Sequence, residues 1–403
     1  PAKFTKDFSK PMAIPEEGIQ AAVEVMRSGR LFRYSSRSAE ESQVSLAEAE
    51  FAEAVGAKYA VAVNSCSSAI LAALVCVGVR SGDEVITNGF TFTAVPCAIM
   101  RLGAKPVLVE CCSNWTMDLV DLERKVSQST AKVLLLSHMR GNVCDMDKVA
   151  EICDRHGLTL VEDCAHSCGV QWRGRQVGHQ GRVAAYSTQS DKVINSGEGG
   201  FATTDDEQLA AKLIYLSGAY ERRYSKHLLC PRAELCEEAM ATVPNHSLRM
   251  SELTAAALRP LVRSLERRVE EYNRRHVLVV EKLGREAGGV IRVPGQVSRV
   301  RVRPVGDHLN FVLVGATPEQ NVLFQTTCNE LGVPIKCFCS SDNARWHVNW
   351  RRFGGPAYDL PRTDALLSRG YDLKLPPDFE DEDLVHLARN IAFSANYALG
   401  LVS

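Results

Sequence analysis

The sequence predicts an α/β protein built on a mostly parallel sheet flanked by helices, with a smaller α+β part behind it. Three observations predict it. Strand and helix signals alternate through the first 250 residues, the links between them are short, and the strands are continuous apolar runs. Strands covered on both faces read that way, and repeated β-α-β units make parallel neighbours.

Each element has its own signal. Tyr59–Val63 is a short buried strand and Ser65 to Val79 a helix. Strand Glu84–Thr87, helix Ala94–Leu102 and strand Pro106–Val109 follow. Then come helix Leu119–Val126, strand Lys132–Ser137, helix Asp145–His156 and strand Leu158–Val161. Ligands of such sheets collect at the carboxyl ends of the strands. Arg222 to Val243 is charged and irregular, and reads as a surface loop insertion. From Ser251 to about Leu283 one long helical pattern carries an arginine face (Arg259, Arg263, Arg267, Arg268, Arg274, Arg275). That face reads as solvated or paired with Glu266, Glu270 and Glu271. Beyond it lie strands Arg299–Arg303, His308–Val314 and Val333–Phe338, a helix Pro318–Leu331 and a closing helix from Asp381 to about Leu399. The expected division is a large domain at 1–250 and a small C-terminal domain at 251–403, joined through the long helix.

Composition excludes several functions. With 47 Lys and Arg against 48 Asp and Glu, the net charge of −1 lacks the basic footprint of a nucleic-acid binder. No apolar run approaches the roughly 18 residues of a membrane span. The polar start, Pro1 to Gly18, lacks a secretory apolar stretch, so the expected compartment is the cytoplasm. The 14 cysteines are scattered, several in apolar runs, and read as structural thiols. Cys111-Cys112 and Cys337-x-Cys339 lack the paired spacing of a zinc site, so no metal is expected.

The chemistry concentrates in three segments. In Tyr186 to Gly200 a lysine, Lys192, follows a strand and precedes a glycine-rich turn. Val161-Glu162-Asp163-Cys164-Ala165-His166 puts acids and a histidine at the end of another buried strand. Asn64-Ser65-Cys66-Ser67-Ser68 is a hydroxyl-rich helix start, where unpaired N–H groups and the helix dipole favour a phosphate. A phosphate cradle, a strand-end aspartate and a strand-end lysine together describe a pyridoxal phosphate site. Taken singly, each has a plainer reading: a helix cap, a loop anchor, a solvated lysine.

The run from Ser187 through Lys192 to Gly-Glu-Gly-Gly, preceded by Glu162-Asp163-x-Ala165-His166, resembles the DegT/DnrJ/EryC1/StrS family of sugar and cyclitol aminotransferases. Arg30 to Tyr34, Gly82 to Ile86, Arg249-Met250-Ser251-Glu252 and Pro361 to Leu366 carry the resemblance across nearly the whole chain. It implies the fold-type I architecture and pyridoxal 5'-phosphate as cofactor. It implies that Lys192 binds the cofactor covalently and then shuttles the proton, that Asp163 contacts the pyridine nitrogen, and that His166 lies near the phenolic oxygen. Phe92 would stack on the ring. Ser187, with the backbone at Cys66 and Ser67, would hold the phosphate, and Gln189 joins the cofactor-binding set. The resemblance also implies a homodimer with shared active sites, in which an asparagine two residues before Arg249 reaches the neighbour's phosphate.

Two departures stand out. Ser65-Cys66-Ser67 replaces the family's Ser-Gly-Thr, which requires Cys66 to keep a negative φ. The residue two before Arg249 is Ser247, with Asn245 displaced by two, so both are candidates for the cross-subunit contact. The expected reaction moves an amino group from glutamate or glutamine to a keto group on a sugar, nucleotide-sugar or cyclitol. A dehydratase or lyase on a sugar substrate, and a non-catalytic binding or sensor relative, stand as alternatives. Lys192 favours the transaminase, since a histidine replaces it in dehydratase relatives. Tyr34, Arg345, Trp346 and His347 are the candidates for substrate binding, and Arg299, Arg301 and Arg303 share one expected strand face.

Overall fold

The computed structural model describes residues 1–353 and 357–402. Its main sheet uses β1 (Tyr59–Val63), β2 (Glu84–Asn88), β3 (Lys105–Val109), β4 (Val133–Ser137) and β5 (Thr159–Asp163). After a small ribbon, β6 (Gln171–Trp172) and β7 (Arg175–Gln176), come β8 (Val183–Ser187) and β9 (Gly200–Thr204). The spatial order is β1-β9-β8-β5-β4-β2-β3, with β9 the reversed strand. Alternate side chains explain the continuous apolar runs. Leu134, Leu136 and Leu160 enter one core, while Val133, Leu135 and Val161 enter the core on the opposite face.

Helices α1 (Glu16–Ser28), α2 (Gln43–Val55), α3 (Cys66–Cys76), α4 (Ala94–Arg101), α5 (Leu119–Ser127), α6 (Met146–His156) and α7 (Glu207–Ser217) flank this sheet. Most begin on a residue suited to the unpaired N–H groups of a first turn. Ser42, Ser65, Asp118, Asp145 and Asp206 each accept one or two of them. The C-terminal part forms a four-stranded antiparallel sheet from β10 (Ile291–Arg292), β12 (His308–Leu313), β13 (Lys336–Cys337) and β14 (Gly370–Lys374). Its own apolar core includes Phe311, Phe324, Leu373 and Leu387, and Phe4 from the start of the chain joins it.

Four expectations are corrected. Arg222 to Val243 is ordered: a 3-10 turn at Arg223–Lys226 is followed by α8 (Ala233–Thr242), which buries Cys236 and Ala239 in the core around α7. The long helix is two, α9 (Glu252–Arg263) and α10 (Leu265–Glu286), because the Ser264 hydroxyl donates to the Leu261 carbonyl at 3.1 Å and competes with the helical pattern. Its arginines pair mainly across elements, Arg259 and Arg263 with Glu50, and Arg274 with Asp381 as well as Glu271. The strand expected at Arg299–Arg303 is only β11 (Val302–Arg303), paired with β6. Arg301 bonds Asp147 and lies over Trp172, while Arg303 pairs with Glu266, so the three arginines form no common ligand face. The strand expected at Val333–Phe338 shrinks to β13, since Pro334 has no N–H to give a ladder. Helices α11 (Pro318–Glu330), α12 (Pro361–Leu367) and α13 (Asp381–Ala398) complete the chain.

A buried ion cluster ties the early chain to the loop after α7. Arg33 donates to both carboxylate oxygens of Glu48, at 2.5 and 2.7 Å, and His227 Nδ1 lies 3.0 Å from the same carboxylate. Burial alone would raise the Glu48 carboxyl, but Arg33 and His227 hold it down at about 2. This contribution is complete above the ordinary carboxylate range and is lost as pH falls through about 2. Glu48→Gln leaves the Arg33 charge buried without its partner and is expected to destabilise the chain by about 3–5 kcal/mol, read from urea unfolding midpoints. A loss under about 1 kcal/mol contradicts this.

Candidate active site

The carboxyl edge of the main sheet opens onto a cavity of about 740 Å³, closed on the far side by β14 and the segment around Arg345. Three strand ends and a helix start supply its chemistry. Strand alternation separates the two adjacent acids of β5. Glu162 turns away and is fixed by His138 at 2.8 Å and by the N–H groups of Gly178, Gln180 and Gly181 at 3.0, 2.9 and 2.6 Å. Asp163 turns into the cavity, where Oδ2 accepts the Ser137 hydroxyl at 2.7 Å and Oδ1 the Ala165 N–H at 3.1 Å. Ser137 is held in turn by Asn88 at the end of β2, through its backbone N–H at 2.8 Å and carbonyl at 3.1 Å. Among the described residues no cation forms an ion pair with Asp163, and burial raises its carboxyl above the usual range.

Lys192 comes from the turn after β8. That turn is closed by the Thr188 N–H on Gly199 O, the Ser190 N–H on Gly197 O and the Lys192 N–H on Gln189 O, at 3.0, 3.0 and 2.9 Å. Gly197 takes φ 81° there, a conformation that suits glycine. Desolvation first, then the positive charges of Arg140 and Arg345, lower the Lys192 amine to about 8. His166 is pushed well below its ordinary value, again by burial first and then by Lys192 and the arginines, so its imidazole is neutral at pH 7.

At the other end of the cavity α3 begins. Ser65 Oγ accepts the Ser68 N–H at 3.1 Å, which leaves the first N–H groups of the helix, at Cys66 and Ser67, for a ligand. Cys66 is the first helical residue and keeps a negative φ, so it fits the turn without glycine. Gly200 is packed against the same turn: a Cβ there would lie 2.7 Å from Cys66 N and 2.6 Å from Tyr186 O.

Of the residues singled out in the sequence, Lys192, Asp163, His166, Phe92, Ser187, Gln189, Cys66, Ser67 and Arg345 line this one cavity. Three substrate candidates do not. Tyr34 is buried with its hydroxyl 3.1 Å from His227, part of the ion cluster around Glu48. Trp346 and His347 both spend their ring nitrogens on Asp364, at 2.7 and 2.9 Å. Asn245 and Ser247 are exposed and away from the cavity of their own chain: Asn245 donates to Ala219 O and accepts the Ser247 N–H, each at 2.9 Å.

Residues 13–392 match the model of the DegT/DnrJ/EryC1/StrS aminotransferase family. The chain belongs to that family. Among curated relatives, it is similar to the spore coat polysaccharide biosynthesis protein SpsC of Bacillus subtilis, 40% identical over 52% of each chain. It is also 38% identical to the GDP-perosamine synthase of Caulobacter vibrioides over 42% of this chain and 46% of that one. These matches span only about half the length of the curated relatives. In three dimensions the chain resembles the putative sugar aminotransferase Spr1654 of Streptococcus pneumoniae in its PMP form, with a TM-score of 0.81 at 20% identity, covering 98% and 100% of the two chains.

The DegT/DnrJ/EryC1/StrS family is pyridoxal phosphate-dependent, and the cavity fits that group. It offers a buried acid with no ion-pair partner, a desolvated amine and a helix start with free N–H groups, on three sides of one space. Several lining residues escaped the sequence reading: Arg140, His308, Asp372 and Lys374, with Phe8 and Ser9 from the start of the chain. Arg140 stands in the left-handed region at φ 56°, uncommon for a residue with a side chain, and pairs with Asp372. No short motif marks these residues, because distant segments meet only in the folded chain.

Proposed function

We propose that this chain is a pyridoxal phosphate-dependent aminotransferase that moves an amino group from glutamate or glutamine to a keto group on a sugar or cyclitol. The observation that carries the reading is that Lys192 and Asp163 line one cavity at the carboxyl edge of the sheet. When bound, the cofactor supplies an electron sink for the carbanion left when a substrate carbon loses its proton.

The chain's own residues do the rest. The N–H groups of Cys66 and Ser67, with the Ser187 hydroxyl, would hold the phosphate at the positive end of α3. Asp163, fixed by Ser137 and Ala165, would hold a proton on the ring nitrogen and keep its carboxylate charge opposite that cation. Phe92 would cover a ring face, and neutral His166 would serve the phenolic oxygen. Lys192, with its amine lowered to about 8, carries a substantial neutral fraction near neutral pH, so its Nζ can attack a carbonyl and then take up and return a proton.

The active unit is a cytoplasmic homodimer with shared sites, in which Asn245 or Ser247 meets the neighbour's phosphate. Its support is the exposed position of both residues, away from their own cavity. The division at residue 250 into a cofactor-binding and a small C-terminal domain belongs to the same reading. No helix among the described residues is long and apolar enough to cross a membrane.

Because the neutral amine is the nucleophile, the rate at which cofactor-free protein captures pyridoxal phosphate is expected to rise with pH and flatten above about 8. Stopped-flow absorbance checks this. A rate still climbing toward pH 10 means that Lys192 is solvated. Glutamate should then bleach the visible band of the loaded protein, and a keto-sugar or keto-cyclitol should restore it; a band unchanged by either glutamate or glutamine contradicts the transaminase.

A further inference from the structure

Most charges in the cavity are matched. Arg140 pairs with Asp372 and sits 2.9 Å from His308 Nε2. Lys374 Nζ meets Asp191 at 2.6 Å. Asp163 and Lys192 are used in the reaction above. Lys336 and Glu198 line the rim as exposed side chains, and among the part-buried charges of the described residues Arg345 is left over. Its guanidinium lines the cavity over the Phe92 ring, 5.9 Å from the centroid, and its Nε is buried without a hydrogen-bond partner. No carboxylate among the described residues forms a salt bridge with it: Arg140 is a like charge close by, and Asp372 and Asp191 favour its charge only from beyond ion-pair distance.

An arginine does not readily shed its proton, so a desolvated guanidinium without a direct ion-pair partner among the described residues can take an anion. Its planar fork suits a carboxylate held by two parallel bonds. In a two-stage transfer the donor leaves before the acceptor enters, and both would react at the one cofactor that Lys192 holds. Arg345 therefore meets both. An amino-acid donor satisfies it; a neutral sugar would leave it buried and unpaired.

We propose that Arg345 is a carboxylate subsite for both substrates, and that the keto acceptor is acidic, a uronate-type sugar or a carboxylated cyclitol. This rests on the aminotransferase reading. The test is calorimetric binding of glucuronate, glucose and inorganic phosphate to the cofactor-loaded protein. Wild type should bind glucuronate at least about tenfold more tightly than glucose. Arg345→Gln should abolish the preference with glucose affinity unchanged, and Arg345→Lys should keep part of it. An unchanged visible band shows that each variant is folded and loaded. Equal affinity for the two sugars, no binding of either, or a preference that survives Arg345→Gln overturns the proposal. So does phosphate binding through Arg345 more tightly than glucuronate, which would assign the subsite to a phosphate group. Cofactor loading and bleaching by glutamate report on the aminotransferase reading, and the sugar ratio on this one, so the two can fail separately.

Discussion

Lys192→Ala is expected to lower transaminase turnover by at least about 10⁴-fold, the largest effect of any single change in this chain. The substitution removes the only amine that the turn after β8 places in the depth of the cavity, and with it both the covalent link and the proton carrier. Folding should be nearly untouched. The backbone bonds that close the turn do not involve the side chain, and removing a desolvated amine relieves a cost. The variant should therefore unfold at the wild-type denaturant concentration or slightly above it, bind the cofactor without covalent attachment, and lack the visible band. Turnover within about tenfold of wild type would give the proton transfer to another residue.

Asp163→Asn is expected to reduce turnover by about 10- to 200-fold, the range of one buried hydrogen bond to a charged group. Its second effect separates function from structure. In the cofactor-free chain burial raises the Asp163 carboxyl above its ordinary range, so the folded state holds its proton more tightly than the unfolded state does. Stability is then lost as pH rises through the carboxylate range, and at pH 7 the ionised acid is a burden. Asparagine keeps the shape and an acceptor oxygen without the charge. The cofactor-free variant should thus melt at a higher temperature than wild type while the loaded enzyme is slower, the opposite signs expected of a residue kept for chemistry. A variant that is both less stable and fully active would make Asp163 a structural anchor for Ser137 and Ala165.

The sheet was legible because its strands announce themselves locally. A strand such as Leu134-Leu135-Leu136, apolar at every position, has to be covered on both faces, and the helices between such runs leave little choice of arrangement. The cofactor end of the cavity was legible for a related reason: Ser65 to Ser67, Asp163 and Lys192 each follow a recognisable strand. The substrate end was not. Arg140 follows β4 while Asp372 and Lys374 belong to β14, and their charges meet, Arg140 with Asp372 and Lys374 with Asp191, only when β14 closes over the edge of the main sheet. The misread candidates share a cause. Tyr34, Trp346 and His347 are the residue types that sites use, but a polar tip satisfied inside the chain is also what a folded core requires. Only their partners in the folded chain, Asp364 for the two rings and the distant His227 for Tyr34, show which applies. The helix at Ala233–Thr242 was hidden by its charged surface, since only Cys236 and Ala239 face inward.

The proposed chemistry needs Lys192 and Asp163 to meet one bound vitamin aldehyde from two sides. The most direct test is to load the protein with pyridoxal phosphate, reduce it with borohydride and map the label by peptide mass spectrometry. A single label on Lys192, absent when the protein is first converted by an amino donor, is the predicted result. Label spread over surface lysines, or fixed on Lys336 or Lys374 at the cavity wall with Lys192 unmodified, would contradict it.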